Sequence, residues 1–176
     1  MRIPRLRKST LWAWLRDIAI AAVASVFIVT FLYTPVRVEG TSMAPELRNR
    51  DRLFISKFFF HFEKIQRGDV VVFHYPMDPT KSYIKRIIGL PGDTVSILHG
   101  KVFINGNQIN EPYVPVRYRD TRSMPPLVVP PDAYFVMGDH RSVSSDSRAF
   151  GPVERDLIYG KADFIYWPES NMGLVS

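Results

Sequence analysis

Ser82-Tyr83-Ile84-Lys85-Arg86-Ile87-Ile88-Gly89-Leu90-Pro91-Gly92-Asp93 is an apolar, β-branched run closed by Pro-Gly-Asp. That pattern predicts a strand ending in a tight turn. Two basic residues interrupt it, and because successive strand side chains point to opposite faces, Lys85 and Arg86 cannot share one solvated face. One of the two is expected to point inward. Similar short runs recur at 52–56, 69–73, 94–98, 102–104, 134–137 and 161–167, separated by Arg67-Gly68-Asp69, His99-Gly100 and Asn105-Gly106, the last two at hairpin spacing. No long stretch after Tyr33 keeps a helical period. The chain therefore reads as mostly β, an antiparallel sheet or small, partly open barrel. Residues 111–131 hold Pro112, Pro115, Pro125, Pro126, Pro130 and Pro131; they read as an extended surface excursion or small cap, with about 106–133 the place for length variation.

Outside this region, composition narrows the function. The 176 residues, 46% hydrophobic, suffice for one sizeable core. Cysteine is absent, which excludes disulfides, thiol catalysis and thiolate metal sites. Of a net charge of +6, five charges come from Arg2, Arg5, Arg7, Lys8 and Arg16, so the basic excess is a tail and implies no nucleic-acid groove. The tail leads through Leu11-Trp12-Ala13-Trp14-Leu15 and Arg16-Asp17 into sixteen uncharged residues, Ile18 to Tyr33. A helix over the uncharged part spans about 24 Å, and one starting at Leu11 about 34 Å, against roughly 30 Å of hydrocarbon. The expectation is a basic cytoplasmic tail at 1–10, a single transmembrane helix at 11–33, and an extracytoplasmic β-rich domain at 34–176. A cleaved signal peptide is the rival, disfavoured because Phe31-Leu32-Tyr33-Thr34-Pro35 lacks paired small residues. The aromatic run Lys57-Phe58-Phe59-Phe60-His61-Phe62 reads as core packing or as a patch dipping into the bilayer.

Just beyond the apolar run lies Val38-Glu39-Gly40-Thr41-Ser42-Met43-Ala44-Pro45. Gly40 permits backbone angles closed to other residues, while Pro45 fixes its own φ and steers Ala44 toward extended geometry. Ser42 thus sits in a stiff loop, and Lys85 could serve as its base if desolvation left the amine uncharged. A third polar block runs from Met137-Gly138-Asp139-His140-Arg141 through Ser144, Asp146 and Arg148 to Gly151. A Ser-His-Asp triad is disfavoured there, since Asp139 and His140 are neighbours whose side chains diverge. Asp146 and Arg148 suit an ion pair, and the histidines show no ligand spacing, so no metal is expected.

Three blocks together, Gly40 to Pro45, Tyr83 to Asp93 and Gly138 to Gly151, resemble the type I signal peptidases, membrane-bound serine proteases that remove signal peptides from exported preproteins. Lys57-Phe58, Arg67-Gly68-Asp69 and Asn105-Gly106 also fit, so the likeness runs from the anchor nearly to Trp167. The resemblance implies Ser42 as nucleophile, Lys85 as general base, Ser144 as the hydroxyl that orients the lysine, and Asp146 with Arg148 as a supporting pair. Gly40, Thr41, Met43 and Pro45 would shape the substrate and oxyanion loop. It further implies no cofactor, a bacterial cytoplasmic membrane, preprotein substrates cut after small residues, and the lipid bilayer as the other partner. The chain departs from the family pattern at Glu46, Arg50 and His140, and Gly40 replaces a serine that supplies a second oxyanion donor in some members. Two alternatives are a non-catalytic anchored β-domain that binds exported peptides, and a self-cleaving Ser-Lys repressor, for which the apolar N-terminus leaves no DNA-binding domain.

Overall fold

The computed structural model describes residues 8–57 and 64–175, with backbone alone at 8–10 and 28–32. The tail up to residue 7 and the aromatic run at 58–62 lie outside the described residues.

A single helix, α1 (Lys8–Leu32), precedes the strands. Its apolar side chains face outward: Trp12, Trp14, Ile18, Val23 and Val26 are all largely exposed. Arg16 and Asp17 pair at 2.9 Å within it. Among the described residues no helix is long and apolar enough to cross a membrane, so the span expected at 11–33 is not shown here.

The strands are β1 (Tyr33–Arg37), β2 (Arg52–Ser56), β3 (Val70–Tyr75), β4 (Asp78–Gly89), β5 (Thr94–Leu98), β6 (Lys101–Ile104), β7 (Asn107–Gln108), β8 (Met124–Val128), β9 (Ala133–Met137), β10 (Val153–Glu154), β11 (Ile158–Trp167) and β12 (Gly173–Leu174), with one helical turn, α2 (Ser147–Phe150), before β10. They form an eight-stranded sheet in the order β1-β2-β11-β3-β4-β9-β10, with β12 beside β11, and a four-stranded sheet β7-β6-β5-β8. All pairings are antiparallel, as the sequence pattern predicts. Instead of one partly open barrel there are two sheets.

Alternation along the central strands fills both faces of the larger sheet. Val70 and Val72 join Leu53, Ile55 and Ile165 in one core, while Val71 and Phe73 join Ile87 and Val136 in another. A third core, under the smaller sheet, gathers Ile88, Val95, Ile97, Val102 and Phe135. The hairpins at 99–100 and 105–106 place Leu98 opposite Lys101 and Ile104 opposite Asn107, and His99 and Asn105 take positive φ with their following glycines, as two-residue turns of this hand require. Within the proline-rich excursion, β8 carries Pro125 and Pro126 and lies at the edge of its sheet, where a residue without an N–H is tolerated.

The expectation that one of Lys85 and Arg86 points inward understates the burial. Both are inside, 4% and 1% exposed. Lys85 stands opposite Val71 in the ladder, and Arg86 opposite Val70 and Met137. Arg86 meets Asp139 through Nε at 2.9 Å and Nη2 at 2.6 Å and donates from Nη1 to the Gly68 carbonyl at 2.9 Å. This fork, with Asp139 fully buried, fastens β4 to the loop after β9. Removing one partner strands a buried charge. Asp139→Ala is expected to lower unfolding free energy by about 3–5 kcal/mol in urea titration; a loss below about 1 kcal/mol would show that the pair is not structural.

Candidate active site

The loop between β1 and β2 is closed at its neck by Val38 N–H donating to Asp51 O at 2.8 Å and Arg50 N–H to Val38 O at 2.9 Å. Met43 and Leu47, 2% and 0% exposed, plug it into the core. Leu47 N–H bonds Met43 O at 2.9 Å and Ala44 N–H bonds Thr41 O at 3.1 Å. The Ala44–Pro45 peptide is cis, inside a turn and not in extended chain. Ser42, one residue before a buried anchor, therefore has little freedom.

Lys85 reaches it from β4. Nζ lies 2.8 Å from Ser42 Oγ and 3.0 Å from the Ile84 carbonyl, with the Tyr83 ring centroid 5.1 Å away. Burial lowers the Lys85 ammonium from an ordinary 10.5 to about 8, and the charges of Asp146 and Asp139 pull the other way without offsetting it. At pH 7 about one lysine in ten is then a neutral amine, against roughly one in three thousand for an exposed one. A proton can pass from Ser42 Oγ to such an amine, and an alkoxide so formed is a nucleophile.

The loop after β9 closes the site from the other side. His140 N–H donates to Ser42 O at 3.0 Å, and His140 Nδ1 lies 3.2 Å from Thr41 O. Gly138 packs so closely that a Cβ there would come within 2.4 Å of Ser42 O and 2.3 Å of Ser144 Oγ. Only glycine fits. Asp146 accepts from Gly138 N–H at 3.0 Å and from Arg148 Nε and Nη2, both at 2.8 Å. Burial pushes the Asp146 carboxyl up, but the Arg148 guanidinium and the Gly138 N–H outweigh it and hold the group below its ordinary value. Ser144 Oγ is buried and close enough to Asp146 to help keep it ionised, yet makes no hydrogen bond of normal geometry.

Ser42, Lys85, Ser144, Asp146 and Arg148 thus converge, from positions more than a hundred residues apart at the extremes. Gly40, Thr41, Ser42, Met43 and Lys85 line a cleft of about 750 Å³, together with Tyr83, Ile84 and Val143. Pro45 does not line it. Asp139 and His140 make no triad: the carboxylate is held by Arg86 and the ring lies against Tyr118, centroids 4.4 Å apart. Among the described residues no cluster of His, Asp and Glu could hold a metal.

Sequence reasoning missed four side chains at the edge of the site. Asp139 pairs with Arg86. Glu111 clasps Arg141, Tyr113 stacks on Arg86, and Asp120 bonds Arg148 at 2.7 Å. Glu111 and Arg141 are 30 residues apart with no periodic relation.

This geometry agrees with what the chain is similar to. A family model described as signal peptidase, peptidase S26, matches residues 11–167. Signal peptidase I P of Bacillus subtilis subsp. natto is 38% identical over 94% of each chain, and signal peptidase IB of Staphylococcus aureus is 34% identical over 93% of each. The crystal structure of a signal peptidase I from Enterococcus faecalis, 33% identical, superposes with a TM-score of 0.51 over 56% of this chain and 97% of that one. A match over most of the chain at this identity, around a buried lysine set against a loop serine, means that the chain belongs to the signal peptidase I family and is a serine protease.

Proposed function

We propose that this protein removes signal peptides from exported preproteins with a Ser42–Lys85 dyad, through an acyl-enzyme. The observation that carries the reading is the 2.8 Å contact between Ser42 Oγ and a lysine amine that is 4% exposed. Neutral Lys85 takes the Ser42 proton as Oγ bonds to the scissile carbonyl carbon. The resulting ammonium then protonates the departing amine, leaving an ester on Ser42. The amine, neutral again, deprotonates a water that attacks the ester, and Ser42 is restored. Developing negative charge on the carbonyl oxygen needs fixed donors. The Ser42 N–H has no acceptor among the described residues and is the first such donor. Gly40 has no hydroxyl to offer as a second.

The polar loop after β9 supports the dyad. Ser144, whose Oγ is buried beside Gly138 without a hydrogen bond here, takes the role of steadying the lysine amine by its match to the family, and the Asp146–Arg148 pair holds the loop in shape. The substrate lies extended in the cleft beside the 38–41 and 82–84 segments, where backbone hydrogen bonds accept any sequence and shallow pockets admit small side chains before the cut. The N-terminal helix anchors the enzyme in the cytoplasmic membrane of a bacterium, tail inside and β domain outside. Support for that placement comes from one continuous helix over Lys8–Leu32 with outward apolar side chains, and from the apolar, charge-free sequence that continues to Tyr33.

The direct test is cleavage of a purified preprotein in detergent, with mass spectrometry of the product ends. The parent chain is expected to cut after a small residue, and Lys85→Ala and Ser42→Ala to lose at least about a thousandfold in kcat. Binding without cleavage by the parent chain would instead make this a peptide-binding domain. The rate should also rise with pH through about 8, where the folded Lys85 amine loses its proton; a profile flat from neutral to mildly alkaline pH would contradict a lysine base.

A further inference from the structure

The densest set of buried charges outside the dyad lies in the seam between the cap segment and the loop after β9. Glu111 receives Arg141 Nη1 at 2.9 Å and Nη2 at 2.6 Å, with the arginine side chain 2% and the carboxylate 11% exposed. Arg141 Nε donates to the Gly138 carbonyl at 2.9 Å. Tyr113 donates its hydroxyl to Glu111 Oε1 at 3.1 Å and lays its ring 4.2 Å from the Arg86 guanidinium. Burial, with the Glu111 charge beside it, pushes the Tyr113 phenol well up, so it remains a neutral donor. One short stretch, Glu111-Pro112-Tyr113, therefore touches the residue that follows Lys85 and the loop that abuts Ser42.

We infer that Glu111 is a positioning residue for the reaction, acting through Arg141 to hold Gly138 and its loop against Ser42. This rests on the Ser42–Lys85 reading above. Gly138 is fixed at both ends of its backbone, its N–H by Asp146 and its carbonyl by Arg141. It sits in contact with the Ser42 carbonyl, and His140, two residues on, bonds that same oxygen. Loss of the Glu111 charge leaves a buried guanidinium without its counter-ion. Arg141 would then turn toward water and release the Gly138 carbonyl, and a displacement of even about 1 Å near reacting atoms costs rate far more than binding.

A mere cap brace would not separate kcat from KM, and the charges around the site are these. Lys85 faces Ser42, the Tyr83 ring and the charges of Asp146 and Asp139. Arg141 faces Glu111, Tyr113 and Asp139, while Arg86 holds Asp139 from β4. Asp146 faces Arg148, which also bonds Asp120, itself paired with Arg122. The charges that act on Lys85 are those of Asp146 and Asp139, so a role of Glu111 exercised through Arg141 and Gly138 is read in the split between kcat and KM.

The experiment measures kcat and KM for preprotein cleavage by the full chain in detergent, across neutral and alkaline pH, for the parent, Glu111→Gln, Tyr113→Phe and Lys85→Ala. Glu111→Gln is expected to lower kcat by about tenfold or more with KM within about twofold. Tyr113→Phe keeps the ion pair and should lower kcat by less, again with KM near parental; it carries the test if Glu111→Gln does not fold. Parental kcat in folded Glu111→Gln, with Lys85→Ala inactive, would overturn this inference alone. Unfolded Glu111→Gln with a wholly parental Tyr113→Phe would overturn it too. An active Lys85→Ala would remove the dyad reading and this inference with it.

Discussion

An ammonium group taken out of water loses several kcal/mol of hydration unless charge or dipoles replace it. Lys85 is taken out of water, in the middle of β4, with only a hydroxyl and a backbone carbonyl within bonding distance. The lowering from 10.5 to about 8 corresponds to roughly 3 kcal/mol against the charged form. The folded value lies below the unfolded one, so the unfolded chain binds more protons between about pH 8 and 10.5, and stability rises with pH across that window. A lysine that is neutral for an appreciable fraction of the time near neutral pH is the useful result.

The rest of the β domain can be read as the means of keeping that amine dry and in register with Ser42. The larger sheet buries both of its faces, so β4 runs through the interior from Lys85 to Gly89, beyond an exposed first stretch. The loop carrying Ser42 is pinned by Met43 and Leu47 from below and by the His140 N–H from the side. Carboxylates near the lysine are all committed elsewhere: Asp139 to Arg86, and Asp146 to Arg148 and the Gly138 N–H. A free carboxylate at the same distance would hold the lysine protonated. The arginines therefore keep the acids from holding Lys85 fully protonated, while the acids keep the buried arginines satisfied.

Much of this was legible in the sequence because it is local. Period-two patterning and Gly-containing turns gave strands 94–98 and 102–104 nearly residue for residue, and Asn105-Gly106 marked its hairpin. A lysine beside an arginine in an apolar run pointed to burial, although the rule of opposite faces suggested one inward residue where both are buried on separate sides. β1 and β8 were hidden: Tyr33–Arg37 follows directly on the apolar helix, and two prolines in Met124–Val128 argue against a strand unless an edge is known. Contacts at the rim were hidden for another reason. The pairs Arg86–Asp139 and Glu111–Arg141 link residues 53 and 30 positions apart, and charge complementarity alone does not select among the many acids available to each arginine. The cap, which read as an excursion, hides its Glu111 and Tyr113 contacts behind a run of prolines.

The most direct measurement is the titration of the Lys85 amine itself, followed by NMR of protein carrying carbon-13 at the lysine ε position, with Lys85→Met to assign the signal. The account predicts one lysine titrating near pH 8, absent from Lys85→Met and still present in Ser42→Ala. If every lysine of the folded protein titrates near the ordinary value of 10.5, Lys85 is an ammonium at neutral pH and cannot take the serine proton.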